Sequence, residues 1–237
     1  MVSVGIIGFG SFGRFLCEKL MSHAELRVYD SLATVPVNLR ADIEQVVASD
    51  YLILAVPLSV YEELFDVITP ILPKTTVIVD VASVKVKPTE LLRSRTTNTI
   101  VATHPLFGPQ SASVSLESHT FVMCPDVSNG EEYQAIKEFA TGLGLNVVEK
   151  TTEQHDKEMA YTQGLTFFVA RALMSMDIHS VELQTPSYLK LLALAELEKH
   201  HSEGLFNTIQ NGNPFAEQIR DEFKQQLEAI TAQINQA

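Results

Sequence analysis

The chain is 237 residues long, 46% hydrophobic and 19% charged, with a formal net charge of -12. That is enough apolar material for one mid-sized domain and a smaller one, and it excludes a disordered or fibrous chain. The negative charge excludes a surface built to neutralise a phosphate backbone, so no nucleic-acid partner is expected.

Short β-rich runs come first in the chain: Val2 to Ile7, Leu26 to Tyr29, Tyr51 to Val56, Thr76 to Val81, Thr99 to Thr103 and Thr120 to Cys124. They are nearly continuous in apolar residues and separated by helix-length segments, the pattern of a mostly parallel sheet covered on both faces. An α/β, doubly wound sheet of Rossmann type is the predicted architecture. From about Thr151 the strand signals stop, and helical segments follow with breaks at Thr185-Pro186, Ser202 to Gly204 and Asn211 to Pro214. The predicted organisation is a dinucleotide-binding domain over 1–150 and an all-helical substrate and dimerisation domain over 151–237.

Within the second domain, the stretch after His155 is apolar on more than one face, through Met159, Leu165, Phe167, Phe168 and Leu173. It reads as a central helix with neighbours all round. In the last helix Phe215, Ile219, Phe223, Leu227, Ile230 and Ile234 recur at steps of three and four, so one face is expected to be buried. The apolar surface of these helices exceeds what so small a domain buries internally, which predicts a homodimer.

Cys17 and Cys124 lie in apolar contexts without metal-ligand spacing, so buried reduced thiols are expected, and no metal site. Val4 to Ile7 is too short for a signal core, and no apolar stretch reaches the ~20 residues a membrane span needs. The expected location is the cytoplasm, with no membrane partner.

Gly8-Phe9-Gly10-Ser11-Phe12-Gly13 reads GxGxxG directly after a predicted strand and opens a helix. Gly8 permits the tight turn, Gly10 admits a pyrophosphate, and Gly13 lets the helix pack close to the strand. The helix start, with Ser11 and Phe12, offers free N–H groups to phosphates. Asp30 closes the second strand, where a carboxylate accepts hydrogen bonds from a ribose diol and repels a 2'-phosphate; the cofactor predicted is NAD. Val56 and Pro57, ending the third strand, fit a wall beside it, although Pro57 also suits an ordinary helix start.

Two further segments fall at strand ends, where open α/β sheets bind ligands: Asp80-Val81-Ala82-Ser83-Val84-Lys85 and Thr103-His104-Pro105-Leu106-Phe107-Gly108-Pro109. A histidine there is suited to act as a general base, because its ordinary pKa lies near working pH; a structural loop histidine is the alternative.

In order, GFGSFG, DVASVK, THPLFGPQS and TTEQHDKEMAYTQ resemble the motifs of the prephenate and arogenate dehydrogenase family. The resemblance covers nearly the whole chain and is nearest to the compact plant-type members. It implies NAD-dependent oxidative decarboxylation of a cyclohexadienol, prephenate or arogenate, in tyrosine biosynthesis. His104 would be the catalytic base, Ser83 a catalytic and substrate-binding hydroxyl near the nicotinamide, and Lys85 an electrostatic support in the substrate site. Gln163 and Thr166 match positions that line the substrate pocket in plant-type members. His155-Asp156 matches an HD pair, with His155 read first as a structural residue.

Departures from the pattern bear on specificity. Phe167 stands where plant-type relatives carry a histidine, and His201 where plant arogenate enzymes carry an acid for the substrate amino group, which argues for prephenate. A carboxylate-binding arginine is expected in the helical domain, with Arg171 and Arg220 as candidates and Arg220 preferred. Plant-type members use NADP, against which Asp30 stands. The chain ends soon after the last amphipathic helix, so a fused mutase or sensing domain is not expected. A β-hydroxyacid or imine reductase and a non-catalytic dinucleotide sensor are the competing readings; no lysine in the central helix after Met159 fits the first, and retention of Ser83 with His104 weighs against the second.

Overall fold

The computed structural model describes residues 1–125, 130–199 and 201–236. The chain forms two compact units, Met1–His155 and Asp156–Ala237. The break lies a few residues beyond the expected one, so the helix start carrying His155 goes with the first unit.

The first unit is a seven-stranded sheet in the order β2-β1-β3-β4-β5-β6-β7. Its strands are β1 (Ser3–Ile7), β2 (Glu25–Tyr29), β3 (Tyr51–Leu54), β4 (Val77–Asp80), β5 (Ile100–Pro105), β6 (Thr120–Cys124) and β7 (Asn146–Glu149). Pairing is parallel from β2 through β5, antiparallel between β5 and β6, and parallel again between β6 and β7. The strand β7 has no counterpart among the predicted runs, because Asn-Val-Val-Glu is a four-residue edge strand with only two apolar positions.

Strand alternation sends side chains to two faces. Helices α2 (Ile43–Val47), α3 (Tyr61–Ile68) and α4 (Val86–Arg95) cover one of them, with Val46, Tyr61, Phe65 and Leu92 packed on Leu52, Leu54 and Ile78. Helix α1 (Ser11–Leu20) and helix α5 (Glu131–Gly142) cover the other, over Val4, Ile6, Ile53 and Val79. Both cysteines are buried and unbridged, and burial pushes the Cys17 thiol up to about 11.

The second unit has only helices as regular structure among its described residues. Helix α6 (Thr152–Met159) runs through a π-helical turn, Ala160–Leu165, into α7 (Thr166–Ser175). Helices α8 (Pro186–Lys199), α9 (Glu203–Asn207) and α10 (Ala216–Asn235) follow. The predicted breaks reappear as starts: Pro186 opens α8, and the Ser202 side chain caps α9 by accepting from Leu205 N at 3.1 Å. The segment after His155 is less enclosed than expected, since Tyr161 is exposed while Met159, Phe167 and Ala170 are buried.

The expected buried face of the last helix is covered only at its start. Ile219 is buried, whereas Leu227, Ile230 and Ile234 are 49%, 51% and 69% exposed. No helix of the described residues is long and apolar enough to cross a membrane.

Candidate active site

The glycine turn joins β1 to α1 as the spacing predicts. Gly8 has φ +108°, and a Cβ there would stand 2.3 Å from the Ala55 carbonyl oxygen. A Cβ on Gly13 would stand 2.0 Å from the Gly8 carbonyl oxygen, so the helix can approach this closely only without a side chain. Gly10 is different: a Cβ there would meet nothing within 4 Å. Gly10 precedes α1, and no side chain caps the helix start, which leaves the N–H groups around Ser11 and Phe12 directed to open space. Such a cradle fits the pyrophosphate of a dinucleotide.

Asp30 anchors this turn. Its Oδ2 accepts from Phe9 N at 2.6 Å, and its Oδ1 accepts from Leu32 N and Ala33 N, each at 2.7 Å. Burial raises its pKa, but the N–H groups of Ala33, Phe9 and Leu32 and the charge of Arg14 outweigh that and hold the carboxyl below its ordinary value. Phe9, in the middle of the turn, has its ring buried in the core and its N–H taken by Asp30. Arg14, absent from the sequence reading, lies over that ring at 4.7 Å with Nε donating to Phe9 O. Val56 borders the turn, with a methyl 2.9 Å from where a Gly8 Cβ would be, and Pro57 is exposed at the head of a short 3-10 turn.

The ends of β4 and β5 carry a buried polar network. Asp80 and Lys85 are 1% and 0% exposed, and the Lys85 ammonium donates to Asp80 Oδ2 and, at 2.6 Å, to the Thr103 carbonyl. Tyr61 donates its hydroxyl to Asp80 Oδ1 at 2.7 Å. Burial and the Asp80 charge drive the Tyr61 pKa well above its ordinary value, so it stays a donor. Lys85, the expected electrostatic support, is thus fully buried and ties two strand ends together. Ser83, between Asp80 and Lys85, is half-buried.

His104 lies inside β5, opposite Val122 of β6, and is buried. Its Nδ1 is 2.9 Å from His155 Nε2, with ring centroids 5.1 Å apart and planes at 69°. One imidazole of the pair must donate and the other accept, so each fixes the tautomer of its neighbour. Burial first, then the charges of His155 and Lys85, hold His104 well below the ordinary histidine value. A neutral imidazole at the carboxyl end of a parallel sheet can take a proton from a bound hydroxyl.

In the helical unit, Gln163 lies in the π-helical turn and Thr166 opens α7, both half-buried. His201, the other expected substrate contact, has neighbours within the same unit. Its ring stacks on Phe167, centroids 4.4 Å apart, and its Nδ1 is 3.4 Å from Oε2 of the buried Glu198. Arg171 holds the other oxygen of Glu198 through Nε and Nη2, reaches Glu203 through Nη1, and lies over the Phe206 ring. Arg220 donates Nη1 to Gln210 O and Oε1, while Gln210 donates to Gly164 O. Neither arginine is a solvent-facing charge, and both hold the unit together. A buried carboxylate needs a cation beside it, which is why Arg171 is committed to Glu198.

Residues 26–149, just over half of the chain, match the family model for the prephenate dehydrogenase nucleotide-binding domain. The chain belongs to the prephenate dehydrogenase family. Residues 172–237 match a second model, TYRAAT1-like, C-terminal domain. Similar relatives of the family include arogenate dehydrogenase 1, chloroplastic, of Arabidopsis thaliana, 25% identical over 98% of this chain and 39% of the relative. A probable arogenate/prephenate dehydrogenase of Methanocaldococcus jannaschii is 26% identical over 80% of this chain and 45% of the relative. The chain thus spans less than half the length of these two. Among solved structures, prephenate dehydrogenase from A. aeolicus, in complex with hydroxyphenyl propionate and NAD+, superposes with TM-score 0.75 at 18% identity, covering 100% of this chain and 91% of that one. The fold is that of this family, with the His104 and Asp80–Lys85 segments inside the matched region.

His104 should leave a mark on stability. The unfolded chain accepts a proton on this side chain below about pH 6.5, and the folded chain refuses it. The resulting stability is fully present above the ordinary value and is lost as the pH falls towards the depressed one. Calorimetric unfolding midpoints should therefore fall between about pH 7 and about pH 5, with a shallower slope in His104→Asn. Equal slopes would show that His104 is not held neutral.

Proposed function

We propose that this chain is an NAD-dependent dehydrogenase that converts prephenate to 4-hydroxyphenylpyruvate by oxidative decarboxylation, a step of tyrosine biosynthesis. The observation that carries the reading is the buried His104–His155 pair, with His104 kept neutral in the same unit as the open glycine cradle. Asp30, ionised beside the turn, supports NAD over NADP, since a 2'-phosphate would meet its charge. When bound, NAD supplies the acceptor for the hydrogen on the ring carbon that bears the hydroxyl.

The chain's own residues act on the other side of that exchange. In this reading His104 donates Nδ1–H to His155 Nε2, so the unprotonated nitrogen that accepts from the substrate hydroxyl is Nε2. As the carbonyl forms, Nε2 takes the hydroxyl proton; carbon dioxide then leaves, its electron pair passes through the ring to that oxygen as the ring becomes aromatic, and Nε2 returns the proton to the phenolate. His155 is then a positioning residue, holding both the tautomer and the ring plane of His104. Ser83 orients the same hydroxyl, and Gln163 and Thr166 are the proposed substrate contacts of the helical unit. Prephenate is preferred to arogenate because His201 stands where plant arogenate enzymes carry an acid for the substrate amino group, and a neutral imidazole gives an ammonium group no countercharge.

NADH formation measured separately with prephenate and arogenate, each with NAD and with NADP, tests this. Prephenate with NAD should be turned over, with the acid limb in kcat/KM displaced well below the ordinary histidine value and a loss of roughly a thousandfold in His104→Asn. Faster turnover of arogenate would overturn the substrate assignment, and NAD binding without turnover of either substrate would favour a dinucleotide sensor.

The second half of α10 supports a pairing of two copies. Phe223, Leu227, Ile230 and Ile234 repeat at the 4-3-4 spacing of a helix seam, and the last three are at least half exposed or nearly so. We propose that this stripe joins two copies in a homodimer. Light scattering after size exclusion should give twice the chain mass, reduced to one chain mass in Ile230→Glu; a monomeric parent protein would rule the pairing out.

A further inference from the structure

The two faces of the sheet are not covered equally. On the face under α2, α3 and α4, Leu52, Leu54 and Ile78 are 0% exposed, whereas on the other face Val4, Ile53 and Val79 are 8%, 8% and 7% exposed. The difference follows from the strand order, which places three helices over one side and only α1 and α5 over the other. Between α1 and α5 the sheet forms the floor of a half-open channel of about 360 Å³, at the lower end of the volumes that hold small organic ligands.

The channel is chemically simple. Its floor is mostly apolar, with Tyr51 and Thr103 beside Val4, Ile53 and Val79, and Phe15, Phe107, Phe121 and Phe139 also line it. Polar groups gather at the side formed by α1, where Lys19 Nζ lies 5.5 Å over the Phe15 ring and donates to Ser113 O at 2.8 Å, and His23 meets the edge of Phe139 at 5.5 Å. A lysine with two further N–H groups is a ready partner for an anion on a chain whose net charge is -12. Ring edges facing an apolar slot suit another ring, held edge-to-face or offset.

We propose that this channel is a binding site for a flat aromatic molecule carrying one acidic group, the ring lying on Ile53 and Val79 and the acid meeting Lys19. The site is separate from the glycine cradle, and it does not depend on the reaction proposed above. Phe15 is two residues beyond Gly13 and Phe107 three beyond His104, so an occupant would press on the segments that carry both.

The test is isothermal titration of the full chain with 2-naphthoate, with and without saturating NAD. One molecule should bind per chain, undisplaced by NAD and unaffected by His104→Asn. Lys19→Gln should weaken binding roughly fivefold. Ala135→Trp, which places an indole at the exposed rim, should abolish binding without moving the unfolding midpoint. Absence of binding, displacement by NAD, or wild-type affinity in either channel variant would overturn the proposal. If Ala135→Trp does not fold, Lys19→Gln at the channel mouth decides the matter alone.

Discussion

A lysine and an aspartate taken out of water have to face each other, and the carboxyl ends of β4 and β5 are arranged around that requirement. Separating Asp80 from Lys85 would leave a bare buried charge, which costs several kcal/mol in general. The Lys85 ammonium also holds the carbonyl of Thr103, the residue before His104, so the ion pair fixes the strand on which the histidine stands. Its positive charge opposes a second one on His104. Position and protonation state of the histidine thus have a common origin, and Tyr61 completes it by filling the remaining oxygen of Asp80.

The same economy operates at the glycine turn. Asp30 spends its carboxylate on three N–H groups of the backbone, and in doing so stays ionised at the place where a ribose would meet it. The helical unit repeats the theme with Glu198, whose two oxygens face Arg171 and His201. In each case a carboxylate organises the cations or donors nearby, and the elements follow.

Much of this is legible in the sequence, and the boundary between what is and is not has a physical reason. Six of the seven strands, the glycine turn and the helix starts at Pro186 and Ser202 can be read because each is dictated by local steric or hydrogen-bonding needs. The edge strand β7 is not, since its four residues satisfy the pattern of a loop as well as that of a strand. The pairing of His104 with His155 joins residues 51 positions apart, and nothing in either segment announces it. Lys85 misleads because lysine normally stays in water. The one hint is Asp80, a charge ending an otherwise apolar strand that needs a partner. The neighbours of His201 and Arg220, the Phe167 ring and Gln210, are likewise set by tertiary packing and not written in either local segment.

The account turns on a single proton in the histidine pair. Long-range proton–nitrogen correlation spectra of histidine-labelled protein, titrated from about pH 8 to about pH 5, report tautomer and charge for each imidazole directly. His104 should remain neutral through that range with its proton on Nδ1, Nε2 being the unprotonated nitrogen. Protonation near the ordinary histidine value, or a proton resting on Nε2, would contradict the assignment of His104 as the base and of His155 as the residue that positions it.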